Sequence, residues 1–79
     1  MQITVELFGT LREFRAADAN GDAFPQDIIA NTTVGDILGR LEIPTEKTLI
    51  ILVNSVHAEK DQTLREGDLL AIAPLLVGG

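Results

Sequence analysis

The stretch TVGDILGRL, residues 33–41, carries the clearest helical signal in the chain. Its apolar residues recur at the spacing of one helix face. Thr33 can cap the first turn, with Asp36 three residues on, and Pro44 is expected to end the helix. Each of the two glycines in the stretch costs about 1 kcal/mol of helix propensity relative to alanine. We therefore expect packing on a sheet to hold this helix, and Gly39 to let a strand approach closely.

Two strands are predicted upstream of the helix. Residues 3–8 alternate apolar and polar side chains, which is the period of a half-buried strand. Phe24, Ile28 and Ala30 can line a second strand. Pro25 confines the beginning of that strand to a sheet edge, because proline has no N–H to donate to a ladder.

The segment between these two strands combines a short helical turn with a loop. Thr10 stands three residues before Glu13, a capping pattern that favours a turn of helix. This turn would carry Leu11 and Phe14 inward. Residues 16–22 have weak periodicity and contain an Asn-Gly pair, so a mobile loop is predicted there.

Three further strands are predicted downstream of the helix. Residues 49–53 are a continuous apolar run, which favours a central strand buried on both faces. A turn at residues 54–55 leads into a short returning strand over residues 56–59. Residues 69–73 form the last strand, and Pro74 ends it because it has no N–H. Polar turns are expected over residues 60–63 and 65–68.

This order of elements predicts an α+β domain in which one main helix lies across a mixed sheet of about five strands, the ubiquitin-like β-grasp. The 79 residues suffice for a single domain, over residues 1–79. The last strand lies inside such a sheet. Residues 74–79 would therefore project from a rigid body as a flexible tail.

Composition limits the core and the chemistry. Hydrophobic residues make up 46% of the chain, but only three are aromatic, so the core must be aliphatic. There is no cysteine, which excludes disulfides, thiol nucleophiles and cysteine-based metal sites. A sulfur atom handled by this chain would have to travel on another group.

Charge and hydropathy limit the partners. The net charge of −6 has the wrong sign for a nucleic-acid-binding surface, and it favours docking on a basic protein. No apolar run approaches the ~20 residues that a membrane span requires. The first residues lack the pattern of a secretory signal, so we expect a cytoplasmic protein.

The polar residues predict no catalytic or metal site of their own. His57 is most simply a surface or packing residue, since no second ligand stands at metal-binding spacing. Asp61, Glu66 and Asp68 fall in turns, where aspartate hydrogen-bonds its own backbone. No phosphate-binding glycine motif is present. We expect no bound cofactor, no metal and no self-contained enzyme.

The strongest functional signal is the tail, which ends in Gly78-Gly79. Two glycines can pass through a channel that is too narrow for any other dipeptide. The only reactive group at the tip is the α-carboxylate of Gly79. This group is ionised at neutral pH and is a poor electrophile, so its chemistry requires activation by another enzyme.

Three motifs in order resemble the MoaD/ThiS family of sulfur-carrier proteins. They are Val53-Asn54, the stretch Leu64 to Asp68, and the apolar tail that ends in Gly-Gly. Leu7-Phe8-Gly9, followed by a helical turn, looks like the branch of the molybdopterin synthase small subunit. Ser55 stands where the family usually has glycine, which suggests an altered hairpin turn. Leu75 follows Pro74 where many small subunits have a second proline.

The resemblance implies a carrier whose Gly79 carboxylate is adenylated with ATP by an E1-like enzyme and converted to a thiocarboxylate. A synthase large subunit would then take the sulfur for molybdopterin in molybdenum cofactor biosynthesis. The sulfur donor system and the catalytic side chains would belong to partners. The tail residues implied to enter the partner's channel are Pro74, Leu75, Leu76, Val77 and Gly78.

Other functions remain open from the sequence. The carrier could serve thiamine biosynthesis through a thiazole synthase, or another thiocarboxylate pathway. A ubiquitin-like modifier would use the same activated tail to acylate lysines. A plain β-grasp interaction domain would keep its function without the tail.

Overall fold

The computed structural model describes residues 1–14, 21, 23–43 and 49–75. Its elements are β1 (Gln2–Leu7), a 3₁₀ helix (Gly9–Phe14), β2 (Ala23–Asp27), α1 (Val34–Arg40), β3 (Leu49–Val53), β4 (Val56–His57) and β5 (Leu69–Pro74). The strands form one sheet in the order β2-β1-β5-β3-β4. β1 and β5 are parallel, and the other neighbours are antiparallel. The predicted β-grasp fold is confirmed.

Two predicted segments lie largely or wholly outside the described residues. Of the loop over residues 16–22 only Gly21 is described, and the tail is described only as far as Leu75. The mobility of the loop and the projection of the last four residues stay predictions. The extent of the domain over residues 1–79 also stays a prediction.

The core lies between α1 and one face of the sheet, and it is aliphatic as predicted. Phe24 is its one aromatic member among the described residues. The buried apolar residues are Ile3, Val5, Leu7, Leu11, Phe24, Ile28, Val34, Ile37, Leu38, Ile43, Ile51, Val53, Leu64, Leu70 and Ile72. The alternation in β1 and β5 places every second side chain in this core.

The start of α1 is capped as predicted. Thr33 Oγ1 accepts from the Asp36 N–H over 3.2 Å, and the Thr33 N–H donates to Asp36 Oδ2 over 2.9 Å. The backbone N–H of Thr33, then its side chain, hold the pKa of Asp36 below its usual value, and the charge of Arg40 adds a smaller effect. This reciprocal capping box satisfies two groups that the first turn would otherwise leave without partners.

The helix ends at Arg40, earlier than predicted from Pro44, which lies outside the described residues. Glu42 adopts a positive φ of 60°. Its N–H and that of Ile43 bond back to carbonyls of the last turn over 3.1 and 3.0 Å. A Schellman-type cap therefore terminates the helix before proline could act on it.

The close approach that we expect at Gly39 occurs instead at Gly35. The N–H groups of Val34 and Gly35 donate to the carbonyls of Gln62 and Lys60 over 3.0 and 2.8 Å. A Cβ on Gly35 would lie 3.2 Å from the Lys60 oxygen, whereas one on Gly39 would meet nothing within 4 Å. The loop after β4 thus supplies acceptors to the first turn of the helix.

The helical turn after β1 is a 3₁₀ helix that begins at Gly9, so the predicted capping role of Thr10 is wrong. The Leu11 N–H donates to the Phe8 carbonyl over 3.1 Å, which places Thr10 inside the turn. Leu11 is buried and Phe14 packs against the core, as predicted. Glycine at the start permits the positive φ of 58° with which the chain leaves β1.

β2 is an edge strand, as Pro25 indicated. Ile28 is buried just beyond it, but Ala30 is exposed and lies outside the strand, so its predicted place there is wrong. The Asp27 carbonyl accepts from Arg40 Nη1 over 2.9 Å. A missing donor at Pro25 and this occupied acceptor both blunt the edge against pairing with another chain.

The prediction for β3 is correct in extent and wrong in burial. Ile51 and Val53 face the core, whereas Ile50 and Leu52 are only half-buried. No second layer within the described residues covers that other face of the sheet. The returning strand β4 covers only Val56–His57 and is shorter than predicted, although the Ala58 N–H still donates to the Ile51 carbonyl over 3.0 Å.

Candidate functional site

The uncovered side of the sheet carries an apolar surface. Cross-strand pairs place Leu52 beside Ala71, and Ile50 beside Ala73. We call this whole side of the sheet the outer face. Its apolar side chains are Phe8, Ile50, Leu52, Leu69, Ala71 and Ala73. All are exposed or half-buried. Contiguous exposed apolar surface on a small protein is typical of an interaction site.

The outer face changes from apolar to polar across the sheet. The β3 and β5 portions are apolar, whereas β1 presents Gln2, Thr4 and Glu6 on the same side. β2 adds Asp27 opposite Gln2. The surface therefore has an apolar half and a half that carries carboxylates, which suits a partner with apolar and basic groups side by side.

The tail leaves from the middle of the sheet. β5 lies between β1 and β3 and ends at Pro74, which pairs with Leu49, so the predicted start of the tail at Pro74 is wrong by one residue. Leu75, the last described residue, is 44% exposed. The predicted site residues Leu76, Val77, Gly78 and Gly79 lie outside the described residues, so their roles stay predictions.

Gly9 and Pro74 meet where β1 and β5 end. A Cβ on Gly9 would lie 3.3 Å from Cγ of Pro74 and 3.4 Å from its Cδ. Gly9 also has a positive φ of 58°, which side-chain-bearing residues rarely adopt. The glycine therefore lets the chain turn away while the proline ring packs against it. In the sequence, Leu7-Phe8-Gly9 stands out only for its family resemblance, and no pattern there predicts this contact.

The opposite end of β5 is fixed by a polar cluster. Asn54 Nδ2 donates to Asp68 Oδ1 over 2.9 Å, and Asn54 Oδ1 accepts from the Leu69 N–H over 2.9 Å. The Arg65 N–H donates to Asp68 Oδ2 over 2.8 Å. Both oxygens of Asp68 are thus used inside the protein. The turn role predicted for Asp68 is confirmed.

The β3–β4 hairpin has the backbone of a two-residue type I′ turn. Asn54 and Ser55 have positive φ values of 53° and 71°. This is the pattern that matches the twist of paired strands. The altered turn expected from Ser55 is not observed, because serine here adopts the conformation that glycine would take more easily.

The remaining polar candidates lie at the protein surface. His57 lies exposed on β4. Glu66 accepts from the Gln2 N–H through both carboxylate oxygens over 3.2 Å, which ties the turn before β5 to β1. Within the described ranges, no three histidine or acidic side chains are grouped so that they could hold a metal ion. The same ranges contain no helix with the length and hydropathy of a membrane span.

Comparison with known proteins identifies the family. The model of the family described as Mut7-C ubiquitin matches residues 1–77. The chain belongs to the Mut7-C ubiquitin family. No curated protein sequence matches this Mut7-C ubiquitin chain.

Solved structures similar to this Mut7-C ubiquitin chain are small β-grasp proteins. Small archaeal modifier protein 1 of Haloferax volcanii is 22% identical with a TM-score of 0.74, covering 95% of this chain and 98% of that one. Urm1 of Trypanosoma brucei is 21% identical with a TM-score of 0.69, covering 99% and 95%. Subunit 1 of the molybdopterin-converting factor of Helicobacter pylori, in complex with subunit 2, is 21% identical with a TM-score of 0.61, covering 100% of both chains.

At these identities the likeness is one of fold. The resemblance to the sulfur-carrier family is confirmed at that level, because a molybdopterin-converting factor subunit is among the similar structures. The Mut7-C ubiquitin chain also shares the architecture with a protein described as a modifier.

Proposed function

We propose that this Mut7-C ubiquitin chain is a sulfur carrier that acts in the cytoplasm through the carboxylate of Gly79. The observation that carries the proposal is the position of β5, which is an inner strand and ends beside the apolar half of the outer face. A partner docked on that face would receive the tail at the centre of the contact. The proposal applies to a mature protein whose C terminus is Gly79.

The chemistry follows from the terminal carboxylate. Its oxygen attacks the α-phosphate of ATP on an E1-like enzyme, pyrophosphate leaves, and an acyl adenylate forms. Sulfide delivered by the donor system then attacks the acyl carbon, AMP leaves, and a thiocarboxylate forms. Glycine has no Cβ to obstruct this attack, and the carrier supplies no catalytic side chain.

The partners are an E1-like adenylating enzyme and a synthase large subunit. The apolar half of the outer face supports burial against a partner, and Glu6 and Asp27 support docking next to basic groups. The similar Helicobacter pylori subunit 1 is in complex with subunit 2. We propose the molybdopterin pathway as the destination of the sulfur, with thiamine thiazole synthesis as the alternative.

The second candidate is a ubiquitin-like protein modifier. The similar Haloferax volcanii protein is described as a modifier, and this observation favours the candidate. The same activated tail would acylate a lysine amine, with AMP or a thiol as the leaving group. The two functions share activation and differ in the final nucleophile.

The test compares the full-length protein with a variant that lacks Gly78 and Gly79. Each is incubated with the cognate adenylating enzyme, ATP and a sulfur donor, and intact mass is measured. We expect the full-length protein alone to gain the mass change of one oxygen replaced by sulfur. Thermal unfolding of the two proteins should coincide, because the tail follows the last strand.

Three results would decide between the candidates. Sulfur transfer by the truncated protein would overturn the carrier proposal. Lysine-linked conjugates on a denaturing gel, without thiocarboxylate, would favour the modifier. The thiocarboxylated protein is then offered to a molybdopterin synthase large subunit with its precursor, and separately to a thiazole synthase; product in the second reaction only would reassign the pathway.

A further inference from the structure

We propose that a depression at the hairpin end of the domain binds a carboxylate group that is attached to a short apolar body. The depression has a volume of about 410 Å³ and lies between β4 and the segment that leads to β5. It adjoins Asp68, which immediately precedes β5, whereas the tail leaves from the other end of that strand. Six residues of strand, about 17 Å, separate the two ends. This site is therefore independent of the tail.

Arg65 is the permanently charged cation among the residues that line the depression, and His57 lies in the same lining. The Arg65 guanidinium makes no hydrogen bond or ion pair with any residue that the structure describes. The natural internal partner would be Asp68, three residues on. The oxygens of Asp68 already accept from the Arg65 backbone N–H and from the Asn54 amide, over 2.8 and 2.9 Å. The turn therefore leaves the guanidinium available for an external anion.

The walls of the depression indicate what is attached to that anion. Val53, Val56 and Ala58 provide apolar surface, and Gln62 and Thr63 provide polar groups. Val56 is 67% exposed, although it lies in a strand. A ligand with a few methylene groups would cover these apolar side chains while its head group meets the cation.

A carboxylate suits the cation better than a neutral polar group. Guanidinium pairs with carboxylate through two parallel hydrogen bonds, and such charge-assisted bonds are stronger than neutral ones. Asp68 lies in the same lining and adds negative charge, so we expect weak binding to a free small acid. The carboxylate could come from a free short-chain acid or from a glutamate side chain of another protein.

The test is a titration of the ¹⁵N-labelled full-length protein followed by amide chemical shifts. The probes are butyrate, its neutral analogue butyramide, and the blocked tripeptide acetyl-Ala-Glu-Ala-amide. We expect an acidic probe to shift amides around Val56 and Arg65, and butyramide to bind about tenfold more weakly. Binding of butyrate indicates a free small acid, and binding of the tripeptide alone indicates a protein-borne glutamate.

The variant Arg65→Gln should weaken binding about tenfold, because the charge-assisted bonds are lost. It keeps the backbone N–H that bonds to Asp68, so the turn should persist, and unchanged shifts elsewhere would verify this. Arg12→Gln, in the 3₁₀ helix at the tail end, removes the same charge and should leave binding unchanged. Equal binding by Arg65→Gln, equal binding of butyramide, or no binding of either acidic probe would each overturn the proposal.

Discussion

The side-chain amide of Asn54 donates a hydrogen bond to Oδ1 of Asp68 over 2.9 Å, and this bond joins the β3–β4 turn to the turn that precedes β5. The Asn54 side-chain oxygen and backbone N–H add two bonds to the backbone of Leu69, each 2.9 Å long. Asn54 and Asp68 belong to separate motifs of the family resemblance. In the fold these motifs form one structural cluster, which fixes where the strand carrying the tail begins.

Replacing Asn54 by alanine should therefore cost more stability than placing alanine at a positive φ does. Asn54→Ala removes two side-chain hydrogen bonds, which are together worth about 2 kcal/mol. Asn31→Ala is the matched control, because Asn31 also has positive φ, at 69°, and its side chain makes no hydrogen bond among the described residues. Urea unfolding of the two variants should differ by about 2 kcal/mol. Equal losses would contradict the structural role of the cluster.

Ser55→Gly should stabilise the hairpin. A side-chain-bearing residue with φ of 71° is strained by about 1 kcal/mol, and glycine removes that strain. We expect a gain of up to about 1 kcal/mol in the free energy of unfolding. Ser55→Ala keeps the Cβ and should bring no gain. A loss of stability in the glycine variant would show that the serine hydroxyl has a role.

Gly9→Ala should destabilise the domain where β1 and β5 end. The added Cβ would be 3.3 Å from the Pro74 ring, at a φ of 58° that disfavours alanine. We expect a loss of about 1–2 kcal/mol. Gly39→Ala makes the same chemical change in α1 with open space around it, and it should stabilise by up to about 1 kcal/mol. Thermal unfolding midpoints that shift in opposite directions would confirm both expectations.

The capping box predicts an acid-sensitive part of the stability. The pKa of Asp36 is lower in the folded chain than in the unfolded chain, so its contribution is complete above the unfolded pKa of about 3.9. That contribution is lost as pH falls through the lower folded pKa. Asp36→Asn should flatten this acid dependence between about pH 5 and pH 2. Chemical denaturation at several pH values measures the difference.

Two adjacent residues of β3 separate docking from folding. Leu52→Ala, on the outer face, should weaken association with the adenylating enzyme about tenfold, and it should cost little stability. Ile51→Ala, which truncates a core side chain, should lose about 2–5 kcal/mol of unfolding free energy. Unchanged association of Leu52→Ala, measured by surface plasmon resonance, would argue against the outer face as the docking surface.

Only part of the candidate site could be predicted from the sequence. The tail was identified from Gly78-Gly79, and its role stays a prediction. The outer face could not be assigned from the sequence, because an apolar run such as residues 49–53 is compatible with burial on one face or on both. Strand order, and a covering layer on only one face among the described residues, leave Ile50 and Leu52 half-buried on the other face.

The sequence by itself determined the helix with its Thr33 cap, the alternation of β1, the aliphatic core and the edge position of β2. These features depend on the periodicity and hydrogen bonding of residues a few positions apart. Only the tertiary structure decided that Asn54 meets Asp68, that Gly35 receives the Lys60 carbonyl, and that Gly9 packs on Pro74. Each of these contacts joins distant parts of the chain, so it exists only because strand pairing and loop closure bring the two segments together.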